Sequence, residues 1–180
     1  MYKERDEKRR KVFLEQIASF PLESIVYVDE SGIDSYVSNS YGWSLRGNPV
    51  YGEVSGKRYA RESFIAGLCG KKLLAPMCYK GTCNTQLFNT WIAKCLVPEL
   101  KPGQVVVLDN ASFHKSENTK KLIENAGCKI IFLPAYSPDL NPIETFWANL
   151  KAKIKKIVQE FKSLQNAVDH AFNMYDMMLG

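Results

Sequence analysis

The sequence lacks the features that several protein classes require. Its five cysteines form no Cys-x-x-C pair, and only two histidines accompany them in 180 residues. A zinc site therefore has no ligand set at the usual spacing, and we expect the cysteines to stay reduced. No apolar run reaches the ~20 residues that cross a bilayer, so no membrane segment is expected. The first residues are charged and form no secretory signal, which predicts a cytoplasmic protein.

Glycine and proline are scarce and aromatic residues plentiful, which excludes collagen-like and disordered classes. The excess of positive charge is also small, +5 in total, and it is confined to two segments. Residues 1–11 hold six basic and three acidic residues, and residues 151–162 hold five basic residues and one acidic residue. Such segments are either solvated helix faces or surfaces for a polyanion.

Hydrophobic periodicity predicts one α/β domain. Short apolar, β-branched runs predict buried strands over residues 25–28, 105–108 and 129–133. Glycine-rich turns between Tyr36 and Met77 predict antiparallel hairpins. Apolar residues at helical spacing predict helices over residues 1–19, 85–100, 118–126, 143–161 and 164–178. Because apolar strands alternate with helices, we expect a mixed sheet with helices on both faces.

The N-terminal helix is interpreted separately. Its charged first turn has no obvious core partner, and Pro21 ends it. We therefore expect a helical stub or linker over residues 1–20 and the folded domain over residues 21–180.

Two of the apolar strands lead directly into an aspartate, Val28 into Asp29 and Leu108 into Asp109. Ligands of α/β sheets gather beyond the carboxyl ends of strands, so these carboxylates would face one crevice if their strands are neighbours. A single aspartate in such a place more often caps a turn, and that alternative stays open for each residue alone.

Glu144 lies in the first turn of the helix predicted over residues 143–161. On a helical projection of ~100° per residue, it lies at one edge of the apolar stripe. Three lysines fall within ~40° of it on the same projection: Lys151, Lys155 and Lys162. A glutamate that complements the helix dipole explains Glu144 but not this alignment, which suits a cation site that faces a polyanion.

Three carboxylates with no histidine or cysteine around them are hard oxygen ligands, which suit Mg²⁺ or Mn²⁺ rather than zinc. Such ions act on phosphates, because they lower the pKa of a water nucleophile and stabilise the leaving oxygen.

Three segments carry a family resemblance: Val28–Ser31, Val107–His114 and Leu133–Glu144, the last of which reads LPAYSPDLNPIE. In this order they resemble the catalytic core of DDE transposases, specifically the IS630 and Tc1/mariner superfamily. The 34 residues between Asp109 and Glu144 match the spacing of that branch.

The resemblance implies an RNase H-like fold with a mixed five-stranded sheet. It assigns Asp29, Asp109 and Glu144 as catalytic and metal-binding residues that hold two divalent ions. It also implies hydrolysis of DNA at transposon ends and transfer of the 3′-hydroxyl to target DNA, typically at TA. A homodimer on the DNA of the bacterial nucleoid is expected by the same analogy.

Four further positions resemble recurrent family residues. Asn110 and His114 accompany the second aspartate, and His114 either orients a substrate phosphate or makes only local hydrogen bonds. Trp43 and Arg46 match a recurrent strand segment, in which Trp43 is interpreted as core packing.

Full-length family members carry N-terminal helix-turn-helix modules, for which 28 residues before Asp29 leave no room. We therefore expect an isolated catalytic domain: a fragment, the second frame of a split gene or a decayed copy. It should bind DNA weakly through phosphates. The predicted contacts are Lys151, Lys155, Lys162, Arg5, Arg9 and Arg10.

Two alternative functions stay open. The first is a ribonuclease H-like nuclease that cuts RNA–DNA hybrids, which the Leu133–Glu144 segment disfavours. The second is an inactive or domesticated remnant that only binds DNA or self-associates, which the intact acidic triad disfavours.

Overall fold

The structure, a computed structural model, describes residues 6–34 and 61–179. Its centre is a five-stranded sheet formed by β1 (Ile25–Asp34), β2 (Arg61–Cys69), β3 (Lys72–Tyr79), β4 (Val105–Leu108) and β5 (Lys129–Phe132). The strand order is β3-β2-β1-β4-β5. Antiparallel pairing joins β1 to β2 and β2 to β3, whereas β1, β4 and β5 run parallel. The mixed sheet expected from the sequence is therefore confirmed.

Strand β1 is longer than its apolar run, and this corrects one prediction. Asp29 lies inside the strand rather than at its end, because β1 stays paired with β2 from Val26 to Asp34. The parallel pairing with β4 ends earlier, at Tyr27 and Val107. The last six residues of β1 therefore extend beyond the end of β4, and Asp29 lies on this extension.

Within the described residues, five α-helices surround the sheet. They are α1 (Glu7–Ile17), α2 (Thr85–Trp91), α3 (Glu117–Asn125), α4 (Pro142–Ile157) and α5 (Leu164–Leu179). The helical path of α2 continues as a π-helix over Ile92–Leu96 and a 3-10 turn over Val97–Glu99. Asn84 caps α2 and Ser116 caps α3 through side-chain oxygens that accept backbone N–H groups. No described helix has the length and apolar character that a bilayer span requires.

The two faces of the sheet are covered by different helices. On one face, β1 to β3 pack against the apolar sides of α4 and α5, including Trp147 and Phe172. On the other face, Val26, Val28, Val106 and Leu108 pack against α2, its π-helical extension and α3. Successive strand residues alternate between the faces, so both faces of β1 and β4 are apolar, as the uninterrupted runs predicted.

Helix α1 packs on the sheet, which the interpretation of a stub without a core partner did not anticipate. Phe13 and Ile17 are buried against Ile25, Val105 and Val107. The first turn has a partner too, because the buried Arg10 pairs with Asp139. Helix α1 therefore contributes to the core, and the residue at which the domain begins stays a prediction.

Helix α4 ends earlier than predicted. It ends at Ile157, and a 3-10 turn over Val158–Glu160 follows it. The helical projection that aligned Lys162 with Glu144 therefore does not apply to Lys162, although it holds for Lys151 and Lys155.

Several sequence predictions lie outside the described residues. They concern the glycine-rich turns before Arg61, the roles of Trp43 and Arg46, and Arg5.

Candidate active site

A cavity of about 360 Å³ opens beside the carboxyl end of β4. Asp29, Asp109 and Glu144 all line it, and so do Asn110 and the loop that leads from Leu133 to Asn141. The structure thus brings together the three acidic residues that the sequence placed 80 and 35 positions apart.

Strand pairing positions the two aspartates. The last parallel pair between β1 and β4 is Tyr27 with Val107. Asp29 and Asp109 each follow that pair by two residues, so both lie at the same level beyond it. Along an extended chain, side chains two positions apart point to the same side. Asp29 therefore points to the same side as Tyr27 and Asp109 to the same side as Val107, so both carboxylates lie on one side of the sheet edge.

The loop between β5 and α4 brings in Glu144. The backbone N–H of Leu133 donates to the carbonyl of Leu108 at 2.8 Å, which fixes the start of this loop beside Asp109. Pro142 begins α4, where a proline loses no helical hydrogen bond. Glu144 is therefore in the first turn of α4 and at the wall of the cavity.

The charges of the cavity are concentrated around Asp29, which is buried. Burial raises the pKa of its carboxyl, and the nearby charges of Glu144, Glu30 and Asp109 raise it further, to about 8. A proton is thus held at neutral pH, first because Asp29 is buried and then because three further carboxylates lie near it. This arrangement is costly for a protein without a compensating cation.

Asp109 is held differently, by hydrogen bonds. Its Oδ1 lies 2.5 Å from Nδ1 of His114 and accepts from the backbone N–H of Ala111 at 2.8 Å. Burial would raise the pKa of Asp109, but these hydrogen bonds and the charge of His114 outweigh it, and the pKa is lowered. Asp109 is therefore ionised when Asp29 is not.

His114 connects Asp109 to a residue that sequence reasoning missed, Glu30. Nε2 of His114 lies 3.0 Å from Oε1 of Glu30, and the ring is almost fully buried. Burial would lower the pKa of His114, but the two carboxylates raise it to about 9. The expectation that no histidine lies around the carboxylates is therefore wrong. The available signal was the position of Glu30 directly after Asp29. Consecutive residues of a strand face opposite sides of the sheet, so a strand that directs Asp29 into the cavity directs Glu30 to the side where it contacts His114.

Asn110 makes a hydrogen bond that joins two segments of the cavity wall. Its side-chain amide donates to the carbonyl of Leu133 and so ties the end of β4 to the start of the next loop. Asn141, in the same cavity wall, is buried, and its Oδ1 has no hydrogen-bond partner among the described residues.

The predicted DNA contacts are distributed unevenly. Lys151 is half-buried and donates from Nζ to Oγ of Ser31 at 3.1 Å, which places its ammonium group on the extension of β1. Lys155, Lys162 and Arg9 are exposed. The prediction that Arg10 contacts DNA is wrong, because its guanidinium is buried and donates two hydrogen bonds to Asp139, at 2.7 and 3.1 Å. It is not available to a phosphate.

The donor set of the cavity fits a hard divalent cation. Asp29, Asp109 and Glu144 offer carboxylate oxygens, and the repulsion that keeps Asp29 protonated is what a bound cation relieves. Within residues 6–34 and 61–179, no three acidic, histidine or cysteine side chains form a ready-made metal cage. The fit therefore concerns the chemistry of the donors and not their present distances.

Comparison with known proteins identifies the family. A family model described as DDE superfamily endonuclease matches residues 24–166. The chain belongs to the DDE superfamily of endonucleases. This confirms the DDE family that the three sequence segments resembled.

Among curated proteins, this DDE domain resembles the insertion element IS630 uncharacterized 39 kDa protein of Shigella sonnei. The two are 26% identical over 137 residues, which cover 73% of this chain and 39% of that protein. The chain therefore spans well under half the length of this relative.

Among solved structures, the DDE domain resembles Mos1 transposase. A paired-end complex with the left transposon end superposes with a TM-score of 0.66 at 15% identity, over 98% of this chain and 61% of that one. A Mos1 paired-end complex with Mg gives the same TM-score and coverage at 16% identity. At such identities the likeness establishes the fold, and the RNase H-like fold expected from the sequence is confirmed.

Proposed function

We propose that this chain is the catalytic domain of a transposase, which hydrolyses phosphodiester bonds at transposon ends and joins the freed 3′-hydroxyl to target DNA. The observation that carries the proposal is the convergence of Asp29, Asp109 and Glu144 on one cavity in a DDE-family chain. Each comes from a different element, so the fold supplies the arrangement rather than a local motif. The Mos1 structures with transposon ends support the substrate class.

The three carboxylates would hold Mg²⁺ or Mn²⁺, two ions in the active complex. Bound ions of this kind lower the pKa of a water nucleophile and stabilise a leaving oxygen on phosphorus. Mos1 complexes with Mg and with Mn support the choice of metal.

The chain's own residues contribute position and charge. Asp109 is ionised at neutral pH and kept in place by His114 and Ala111. Glu144 is exposed at the mouth of the cavity, where a scissile phosphate could approach. The ammonium group of Lys151, held on Ser31, would offset the charge of a phosphate beside the carboxylates.

The wider surroundings of the reaction form part of the same proposal. Lys155, Lys162 and Arg9 are exposed and would contact the DNA backbone without selecting its sequence. A homodimer on DNA, a TA target and action at the bacterial nucleoid are carried over from the family resemblance of the three sequence segments.

The proposal is tested by nicking of supercoiled plasmid DNA in Mg²⁺ or Mn²⁺. Asp109→Asn should reduce nicking by at least ~10³-fold, because an amide removes the charge that a metal ligand needs. Thermal melting should show that the variant remains folded. Asp34→Asn is the matched control, since this exposed aspartate lies on β1 outside the cavity.

The outcomes separate the functions. Nicking that survives Asp109→Asn at its full rate would remove Asp109 from the mechanism. Faster cleavage of an RNA–DNA hybrid than of duplex DNA would favour the ribonuclease H-like alternative. No cleavage together with no metal-induced rise in melting temperature would favour the inactive remnant, because a ligand of the folded state must stabilise it.

A further inference from the structure

We propose that Glu30 and His114 act as a pair of positioning residues that fix the carboxylate of Asp109, so that one strand, β1, sets the placement of both catalytic aspartates. This inference rests on the proposed function, because it concerns how the same site is held ready. Neither the family match nor the structural likeness assigns a role to Glu30.

The first step is the geometry of the imidazole. His114 Nδ1 lies 2.5 Å from Oδ1 of Asp109, and Nε2 lies 3.0 Å from Oε1 of Glu30. Both ring nitrogens therefore lie within hydrogen-bond distance of a carboxylate oxygen. An imidazole that contacts a carboxylate through each of its two nitrogens joins its partners into one chain, Glu30–His114–Asp109.

The second step is the rigidity of the ring. His114 is 1% exposed, and its ring centroid lies 4.1 Å from that of Phe88 and 4.3 Å from that of Phe113. Phe88 belongs to α2, and His114 lies in the 3-10 turn over Ser112–Lys115. Because aromatic rings hold the imidazole between two elements, it transmits a position rather than following the movement of the aspartate.

The third step is the effect on Asp109. Its Oδ1 accepts from both His114 and the backbone N–H of Ala111. Both bonds engage the same oxygen, which leaves Oδ2 for a ligand in the cavity. Glu30 and His114 therefore determine which oxygen of Asp109 faces a ligand in the cavity. Outer-sphere residues orient metal ligands in the same way in other metal sites.

The fourth step is the origin of Glu30 on β1. Glu30 directly follows Asp29 and pairs with Ile65 of β2, so its backbone is fixed by the sheet. Consecutive residues of a strand face opposite sides, which directs Asp29 to the cavity and Glu30 to His114. A displacement of β1 would therefore move Asp29 directly and Asp109 through the imidazole.

The experiment is a double-mutant cycle with Glu30→Gln, His114→Asn and the combined variant. Mn²⁺ affinity is measured by calorimetry without DNA, and nicking rates are measured at saturating Mn²⁺. We expect each single variant to weaken Mn²⁺ binding by 10- to 100-fold, the usual range for outer-sphere residues. The affinity for a duplex oligonucleotide should stay within about twofold, because the side chain of His114 is buried and that of Glu30 is only 15% exposed.

The combined variant decides whether Glu30 acts through His114. In that case Glu30→Gln should have no further effect in the His114→Asn background, since the chain is already broken. A charge effect exerted through space on the cavity would persist in that background. Asp34→Asn, which removes a charge from the same strand without a histidine contact, should leave Mn²⁺ affinity unchanged.

Two results would overturn the inference: an Mn²⁺ affinity of Glu30→Gln within twofold of the unsubstituted protein, or additive losses in the combined variant. If His114→Asn fails to melt cooperatively, the Mn²⁺ affinity of Glu30→Gln still decides. The Asp109→Asn variant keeps this result separate from the proposed function. If that variant is inactive while Glu30→Gln is unaffected, the positioning role fails and the transposase proposal stands.

Discussion

At the scale of single residues, the buried carboxyl of Asp29 dominates the electrostatics of the cavity. Its neighbours Glu144, Glu30 and Asp109 add to the effect of burial and raise its pKa from 3.8 to about 8. The folded protein therefore keeps a proton that the unfolded chain releases above pH ~4. Proton uptake by the folded state stabilises it at low pH, and this contribution is lost as the pH rises toward 8.

This difference predicts a pH-dependent stability in the absence of divalent ions. Between pH 5 and pH 8, the free energy of unfolding should fall, by up to ~1.4 kcal/mol per pH unit. His114, whose pKa is raised to about 9, adds a fall of the same sign above pH ~6.5. Chemical denaturation with a chelator at several pH values measures the slope.

The variant Asp29→Asn isolates the contribution of that carboxyl. It should flatten the slope between pH 5 and pH 6.5, where His114 contributes little, and it should be the more stable protein at pH 8. Asp34→Asn should keep the slope of the unsubstituted protein. An unchanged slope in Asp29→Asn would show that this carboxyl does not hold its proton in the folded state.

The sequence predicted the three acidic residues but not their supports. Asp29 and Asp109 follow strongly apolar strands, and Glu144 opens a helix after a recognisable loop, so each has a local signal. Glu30 has no local signal apart from its position next to Asp29. The pairing of Arg10 with Asp139 joins residues 129 positions apart, and only the folded chain brings them together.

At the scale of elements, α1 is the part whose role the sequence misjudged. Its charged first turn suggested a solvated stub, yet Phe13 and Ile17 are buried against the sheet. The hydrophobic partners come from β1 and β4, which no local pattern in residues 1–20 could reveal. Exposed charges together with three buried residues at helical spacing, Arg10, Phe13 and Ile17, are typical of a helix with a narrow packed side.

Truncation of Phe13 tests whether α1 belongs to the catalytic domain. Phe13→Ala should lower the free energy of unfolding by ~3–5 kcal/mol, because a buried aromatic ring leaves a cavity. Val12→Ala is the matched control, since Val12 is 62% exposed on the same helix and should cost less than ~0.5 kcal/mol. Equal, small losses in urea titrations would mean that α1 is a detachable stub.

The length of β1 was also beyond the sequence pattern. Its apolar run stops at Val28, and polar residues follow it, as they would in a loop. The strand continues because antiparallel pairing with β2 satisfies its backbone groups up to Asp34. This pairing makes the position of Asp29 rigid, whereas a turn residue at the end of a strand would be free to move.

At the scale of the whole molecule, the fold turns three distant segments into one carboxylate cluster. The parallel pairing of β1 with β4 aligns the two aspartates, and the connection from β5 to α4 closes the cavity with Glu144. The overall architecture was predictable, because fully apolar strands among helices require a covered mixed sheet. The register that aligns the aspartates was not, since it depends on side-chain packing between elements.

The central claim is that Asp29, Asp109 and Glu144 bind divalent ions together. A crystal structure of this chain soaked in Mn²⁺ tests it most directly, because the anomalous signal of manganese locates the ion independently of activity. We predict a peak in the cavity with oxygens of all three side chains within ~2.0–2.6 Å of an ion or of an adjacent pair of ions. Manganese bound elsewhere, with these three carboxylates left without an ion at saturating Mn²⁺, would contradict the account.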